Sequence, residues 1–76
     1  MKEMPKHIPL GHVSYVILGH QTLHSYYFYN LSEVKEFFWK FDFPYNPKLK
    51  IKSNFKKLSK TMIEDNKAII YYGFYD

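Results

Sequence analysis

The sequence of 76 residues contains no cysteine and no arginine. Without cysteine, neither disulfide bonds nor a cysteine-based zinc site can stabilise the fold, so burial of apolar side chains has to do so unless a partner chain helps. Without arginine, all eleven basic residues other than histidine are lysines, which lack the rigid guanidinium fork that suits bidentate contacts with guanine. The composition therefore argues against a sequence-specific DNA reader.

Long hydrophobic runs and catalytic motifs are also missing. No stretch approaches the roughly 20 apolar residues of a membrane-spanning helix. Two prolines, a lysine and a histidine interrupt the N-terminal region where a signal peptide would need an apolar core. A glycine-rich phosphate loop, a nucleophile elbow and an HExxH motif are all absent. We therefore expect a soluble, cytoplasmic protein that is not an enzyme and binds no cofactor.

Four histidines are the first candidates for metal ligands. His20 and His24 stand four residues apart, a spacing that suits a metal site on a helix but not on a hairpin. His12 and His24 could approach each other if their strands pair. Because there is no cysteine and no carboxylate nearby, we expect turn and edge histidines rather than a metal site.

What the sequence has in excess is aromatic side chains, with seven Phe, eight Tyr and one Trp. Hydrophobic residues make up 46% of the chain, which is too much for a disordered protein even at a net charge of +4. A domain of this length buries only roughly 60–65% of the surface that its unfolded chain exposes. We therefore expect one small domain in which many rings lie close to the surface.

Two strands are predicted in the first half of the chain and one at its end. Residues 12–18 and 22–29 are rich in β-branched and aromatic residues, and Gly19 begins a short turn between them, so they predict a hairpin. Residues 68–75 form a third run of the same kind. Residues 1–11, with two prolines and one glycine, predict an irregular arm before a single domain over 12–76.

A helix over residues 31–41 is predicted from its cap and its periodicity. Asn30 can cap the helix with Glu33 at capping-box spacing, and Ser32 is a competing cap. Pro44 ends the helix at or before residue 43. The apolar stripe at helical spacing consists of Leu31, Val34, Phe37, Phe38 and Phe41.

Residues 48–67 allow two interpretations. Residues 49–52 alternate lysine with Leu and Ile, which predicts a short edge strand. Residues 53–65 then form either a helix capped by Ser53, or a strand at 61–64 that turns into the last strand. We favour the helix, because charged residues fill the side opposite its stripe of Phe55, Leu58 and Met62.

Together these elements predict an α+β fold. We expect a small, mostly antiparallel sheet of three to four strands, made of the N-terminal hairpin and the C-terminal strand, with one or two helices packed on one face. Every predicted strand is apolar or aromatic on both faces, whereas a one-sided sheet would alternate apolar and polar residues. The N-terminal arm, a second copy of the chain or another partner should cover the second face.

Three tyrosines are therefore candidate partner-binding residues, namely Tyr27, Tyr29 and Tyr72. They could simply flank the core with their hydroxyls in water. They could also form a protein interface, in which Tyr is enriched, including that of a homodimer. Nucleobase stacking is a third reading, since such platforms combine exposed rings with a cationic groove.

Trp39 and three lysines complete the candidate site. On a helical wheel Trp39 lies off the apolar stripe, so it either folds over the sheet edge and is mostly buried, or anchors an interface. Residues 48–60 contain six lysines and no acid, and Lys52, Lys56 and Lys60 recur every four residues. They form either a solvated face or a contact for an anionic partner, such as nucleic acid or an acidic protein surface.

The function that we expect is non-enzymatic binding. Lysine as the sole strong base, with much Asn, Ile, Phe and Tyr, is typical of AT-rich genomes, for which low-GC bacteria and their phages and plasmids are natural sources. Among these we expect a phage or another mobile element. Such a protein would dock its aromatic surface, with lysine steering, on a host protein and inhibit a machine that handles nucleic acid. The alternative is direct binding of single-stranded nucleic acid, without sequence specificity, through the same rings and lysines.

Overall fold

The structure, a computed structural model, describes residues 8–75. Along the chain they form strand β1 (Gly11–Ile17), strand β2 (Leu23–Phe28), helix α1 (Leu31–Lys40), helix α2 (Ile51–Glu64) and strand β3 (Ala68–Phe74). The strands make one antiparallel sheet in the order β2-β1-β3, and both helices pack against it. The predicted α+β class is confirmed, with three strands and two helices.

The hairpin lies where the sequence predicts it, with small shifts at the strand ends. Gly19 has a φ of 95°, in the left-handed region that glycine adopts without strain, and the His20 N–H donates to the Ile17 carbonyl at 2.9 Å. Of the predicted arm, residues 1–7 lie outside the described residues. Residues 8–10 precede β1, and Gly11 is already the first residue of that strand.

Asn30 is the cap of α1, as its spacing from Glu33 predicts. Its Oδ1 accepts from the Glu33 N–H at 2.9 Å, and Glu33 Oε1 accepts from the Tyr29 N–H at 2.8 Å. The carboxylate therefore reaches one residue beyond the cap itself, and the competing cap Ser32 lies inside the helix. These bonds fix the point at which the chain leaves β2 and enters α1.

The helix predicted over 53–65 is confirmed, but it begins earlier than expected. Ile51 starts α2, so the edge strand predicted at 49–52 is wrong, and the strand alternative at 61–64 is wrong because those residues form the last turn of α2. Ser53 is not the cap, since that position belongs to Lys50, which makes no side-chain cap bond. A half-buried Ile51 joins the core from the first turn of the helix.

The core lies between the helices and one face of the sheet, and it is dominated by aromatic rings. Phe55 of α2 is fully buried at its centre. Its ring lies 4.8 Å from that of Phe38, 5.6 Å from that of Phe37 and 4.5 Å from that of Phe74. The two helices thus meet through aromatic side chains, which bury a large area per residue.

Candidate partner-binding surface

The helices cover one face of the sheet, and we call the opposite face the open face. Its residues follow from the strand register, because alternate side chains point to opposite faces. Read from β2 through β1 to β3, three rows cross it: Tyr27–His12–Gly73, Ser25–Ser14–Tyr71 and Leu23–Val16–Ile69. None of these nine residues is an acid or a lysine.

Large apolar side chains of the open face are strongly exposed. Tyr27 and Tyr71 each retain 62% of their accessible surface, and Leu23 retains 58%. Val16 and Ile69 are half-buried beside Leu23. A sheet face that is exposed to water usually carries polar residues at such positions. The open face therefore combines exposed aromatic and apolar side chains with His12, Ser14 and Ser25, and it contains no acid and no lysine.

Local contacts hold two of the rings in place. The His12 ring lies 5.9 Å from the Tyr27 ring, and on its other side it occupies the space above Gly73. A Cβ at residue 73 would come within 2.8 Å of His12 Cε1, so the glycine makes room for the imidazole. In the next row, Ser14 Oγ and Ser25 Oγ share a hydrogen bond of 3.0 Å.

The predicted tyrosines do not lie together. Tyr27 lies on the open face, and Tyr29 follows β2 directly and is exposed, with its backbone N–H bonded to Glu33. Tyr72 lies on the helix-covered face, half-buried against the core, with its ring 5.8 Å from that of Phe55. The structure thus separates Tyr72 from the surface to which Tyr27 belongs.

Trp39 and the lysines belong to the helix layer. Trp39 lies on α1 with 85% of its surface exposed, so the reading that it folds over the sheet edge and is mostly buried is wrong. Lys52, Lys56 and Lys60 are exposed on α2. Since both helices pack on the face opposite the open face, neither the indole nor these lysines belong to the open face. Tyr27 also borders α1, since it lines a groove with Glu36 and Lys40.

Tyr71 and Leu23 are exposed on the open face, but they are not among the partner-binding residues that the sequence predicts. The alternation of β3 places Tyr71 and Tyr72 on opposite faces, but it does not say which face the helices cover. The register does, because Tyr71 pairs with Ser14 and Tyr72 pairs with the buried Val13. A hydrophobic pattern within one strand carries no information about pairing between strands.

A second cluster lies on the helix-covered side, at the end of α1. Lys40 Nζ donates to Tyr15 Oη at 3.0 Å and to Tyr26 Oη at 3.2 Å. It also lies 5.6 Å and 5.1 Å from the centroids of these two rings, within the range of cation–π attraction. The hydrogen bond from Lys40 lowers the pKa of Tyr26, and the bonds to the two tyrosines raise the pKa of Lys40.

Replacing Lys40 by methionine is expected to raise the pKa of Tyr26, because both the hydrogen bond and the positive charge disappear. An NMR titration of the Tyr26 ring checks this, with Lys35→Met as the control on the same helix. In the folded protein the pKa of Lys40 lies above its ordinary value of 10.5. Its contribution to stability is thus fully present below pH 10.5 and is lost as the pH rises through the folded pKa. An unchanged Tyr26 pKa in Lys40→Met contradicts the prediction.

The histidines are divided between the two faces. His12 lies on the open face, whereas His24 lies on the other face and stacks on Tyr15 at 5.0 Å, so the pairing of their strands does not bring them together. Within residues 8–75, no three His, Cys, Asp or Glu side chains are grouped as metal ligands. None of the helices in that range has the length and hydropathy needed to cross a membrane.

No protein-family model, no curated protein and no solved structure matches this chain.

Proposed function

We propose that this chain is a small, non-enzymatic protein-binding module whose open face docks on an apolar, uncharged patch of a partner protein. The observation that carries the proposal is the open face itself, which exposes Tyr27, Tyr71 and Leu23 and has no acid or lysine among its nine residues. Side chains of this kind are enriched in the centres of protein interfaces, while charged residues are depleted there.

Tyrosine is well suited to this role. It buries a large ring at a small cost in side-chain entropy, and its hydroxyl finds a partner at the rim of an interface or in water. Tyr27 and Tyr71 lie on opposite edge strands, with Ser14 and Ser25 between them. A partner that covers both rings would also exclude water from the half-buried Val16 and Ile69.

The lysines of α2 contribute differently. Because they lie on the other side of the sheet, Lys56 and Lys60 do not contact a partner on the open face. Their charge can still speed the encounter with an acidic partner at low ionic strength, an effect that falls as salt screens it. In this proposal Trp39 is not an anchor, since it lies in the helix layer.

Direct binding of single-stranded nucleic acid is the weaker candidate. Stacking platforms join exposed rings to cationic side chains in the same groove, whereas here the rings of the open face and the lysines of α2 lie on opposite sides of the sheet. A fluorescent oligonucleotide at low salt tests this candidate. Binding that weakens steeply with salt, with a slope reduced in Lys56→Ala/Lys60→Ala, would favour it over a protein partner.

The test of the proposal combines purification with matched variants. The tagged chain is used to retrieve partners from a lysate of its native host, and the affinity of each candidate is measured by calorimetry. Tyr27→Ala and Tyr71→Ala should each weaken binding by about 10- to 100-fold, as expected for central aromatic anchors. Trp39→Ala is the control and should leave the affinity within about twofold, since exposed residues outside an interface contribute little.

The opposite pattern would overturn the proposal. If Trp39→Ala weakens binding and Tyr71→Ala does not, the partner docks on the helix layer and the open face has another role. Thermal melts of each variant separate loss of binding from loss of folding. The phage or mobile-element origin and the inhibition of a host machine stay predictions from composition, and the identity of the retrieved partner tests them.

A further inference from the structure

The two edges of the sheet differ, and the difference starts from the direction of the backbone amides. In an antiparallel pair, successive residues direct their N–H and C=O groups alternately towards one neighbour and the other. The Leu18 N–H donates to the Lys67 carbonyl at 2.8 Å. The backbone N–H and C=O groups of the even-numbered residues of β1 therefore point towards β3. Odd-numbered residues of β1, such as Val13 and Tyr15, therefore bond to β2.

The register then fixes the outer edge of β2. Val13 pairs with Tyr26 and Tyr15 pairs with His24, so these two residues of β2 use their backbone groups within the sheet. Ser25 and Tyr27, which alternate with them, direct their N–H and C=O groups outwards. Directly after β2, the Tyr29 N–H donates to Glu33 Oε1, so the stretch of unpaired backbone groups along this edge ends there.

The outer edge of β3 is covered, whereas that of β2 is not. Helix α2 packs along β3, and Ser59 Oγ donates at 3.3 Å to the carbonyl of Ile70, one of the outward-directed residues of that strand. Within residues 8–75, no side chain bonds to the outward backbone groups of Ser25 or Tyr27. Proteins commonly protect such an edge, so a strand left open is a template for pairing with another chain.

A groove of about 360 Å³ runs beside this open edge, between β2 and α1. Its floor and walls include the rings of Tyr26, Phe28 and Phe37, and its charged residues are Glu33, Glu36 and Lys40. The ammonium group of Lys40 is already engaged by two tyrosine hydroxyls. The groove is thus aromatic and carries one more acid than base, in a chain whose net charge is +4.

We propose that the edge of β2 binds an extended peptide segment by strand addition, with a basic side chain of that segment entering the groove towards Glu36. The backbone groups of Ser25 and Tyr27 supply the ladder, and the rings beside the edge receive an apolar side chain of the added strand. In this mode, main-chain bonds give affinity and the pockets for alternate side chains give specificity. The site shares Ser25 and Tyr27 with the open face, and Tyr27 also lines the groove, but Tyr71 belongs only to the open face. The two proposals are therefore separated at Tyr71.

A random dodecamer peptide library displayed on phage is the probe for this site. Peptides selected on the immobilised chain should carry Lys or Arg two residues away from an apolar residue, because alternate side chains of a strand share one face. Resynthesised peptides should shift the amide NMR signals of Ser25 and Tyr27 most. Failure to select any peptide, or shifts confined to other parts of the chain, would overturn the proposal. Tyr71→Ala should leave peptide binding unchanged, which keeps this test separate from that of the open face.

Two pairs of variants sharpen the result. Ser25→Pro removes the outward N–H without removing a bond to β1, and proline is tolerated at such edge positions, so binding should fall at least about tenfold while folding is retained. Ser25→Ala is its control, since it loses the Ser14 contact but keeps the N–H. Glu36→Lys should weaken the binding of basic peptides, whereas Glu64→Lys, on α2, should leave it unchanged. Equal affinity in Ser25→Pro and Ser25→Ala would rule out strand addition.

A second copy of the chain is the competing occupant of this edge. Light scattering over a range of concentrations decides between them. A dimer that becomes a monomer in Ser25→Pro would show that β2 pairs with itself and would overturn the peptide proposal.

Discussion

Phe55→Ala is expected to lower the free energy of unfolding by about 3–5 kcal/mol, the usual cost of truncating a fully buried phenylalanine. A chain of this length has a total stability of only about 4–11 kcal/mol. The substitution should therefore remove from about a quarter to all of that stability at 25 °C. Urea titration followed by far-UV circular dichroism measures the change.

The size of this effect follows from the position of Phe55 in the core. Its ring is fully buried and contacts rings of α1 and of two strands: Phe28, Phe37, Phe38, Tyr72 and Phe74. The alanine variant would leave a cavity that none of these rigid rings can fill without leaving its rotamer. Tryptophan fluorescence is a poor reporter of the transition, because Trp39 is already 85% exposed in the folded protein.

Ile63→Ala on the same helix is the matched control. Ile63 keeps 53% of its surface exposed, so the substitution removes little buried area and should change the free energy of unfolding by less than about 1 kcal/mol. If Ile63→Ala proved more destabilising than Phe55→Ala, the core would not lie between α2 and the sheet as described.

The sequence predicts elements well where the periodic pattern and the cap agree. Helix α1 follows from Asn30, Glu33 and its apolar stripe, and the structure contains both the cap bond and the buried Phe37 and Phe38. The stripe of Phe55, Leu58 and Met62 likewise predicts the buried side of α2. The buried face of a helix is set by the spacing of its apolar residues, which can be read from the sequence.

The site is less predictable, because it depends on pairing between distant segments. The choice between Tyr71 and Tyr72 depends on the register of β3 against β1, and the separation of Trp39 from Tyr27 depends on the face to which α1 packs. Neither is encoded in a local pattern. The start of α2 is not predictable from the sequence pattern either, because alternation at residues 49–52 resembles a strand. A buried asparagine in the first turns of α2 bonds instead to the loop before it.

That asparagine is Asn54, which is 1% exposed and ties the loop before α2 to the helix. Its Oδ1 accepts from the Asn46 N–H at 2.8 Å. Its Nδ2 donates to the carbonyls of Asn46 at 2.9 Å and Lys50 at 3.1 Å. The side-chain amide thus matches one donor and several acceptors of the loop, which a helix-period analysis based on hydrophobicity cannot anticipate.

Asn54→Asp is expected to lower the free energy of unfolding at neutral pH by about 2–4 kcal/mol, because a buried carboxylate would face carbonyl oxygens to which the amide now donates. The deficit should shrink as the pH falls, since a protonated carboxyl regains one donor. Urea midpoints at pH 4 and pH 7 measure it. Asn66→Asp makes the same chemical change at an exposed site with a φ of 58° and is the control. Its urea midpoint should change little at either pH. Equal effects at both sites would mean that Asn54 does not hold the loop, and the start of α2 would then need another cause.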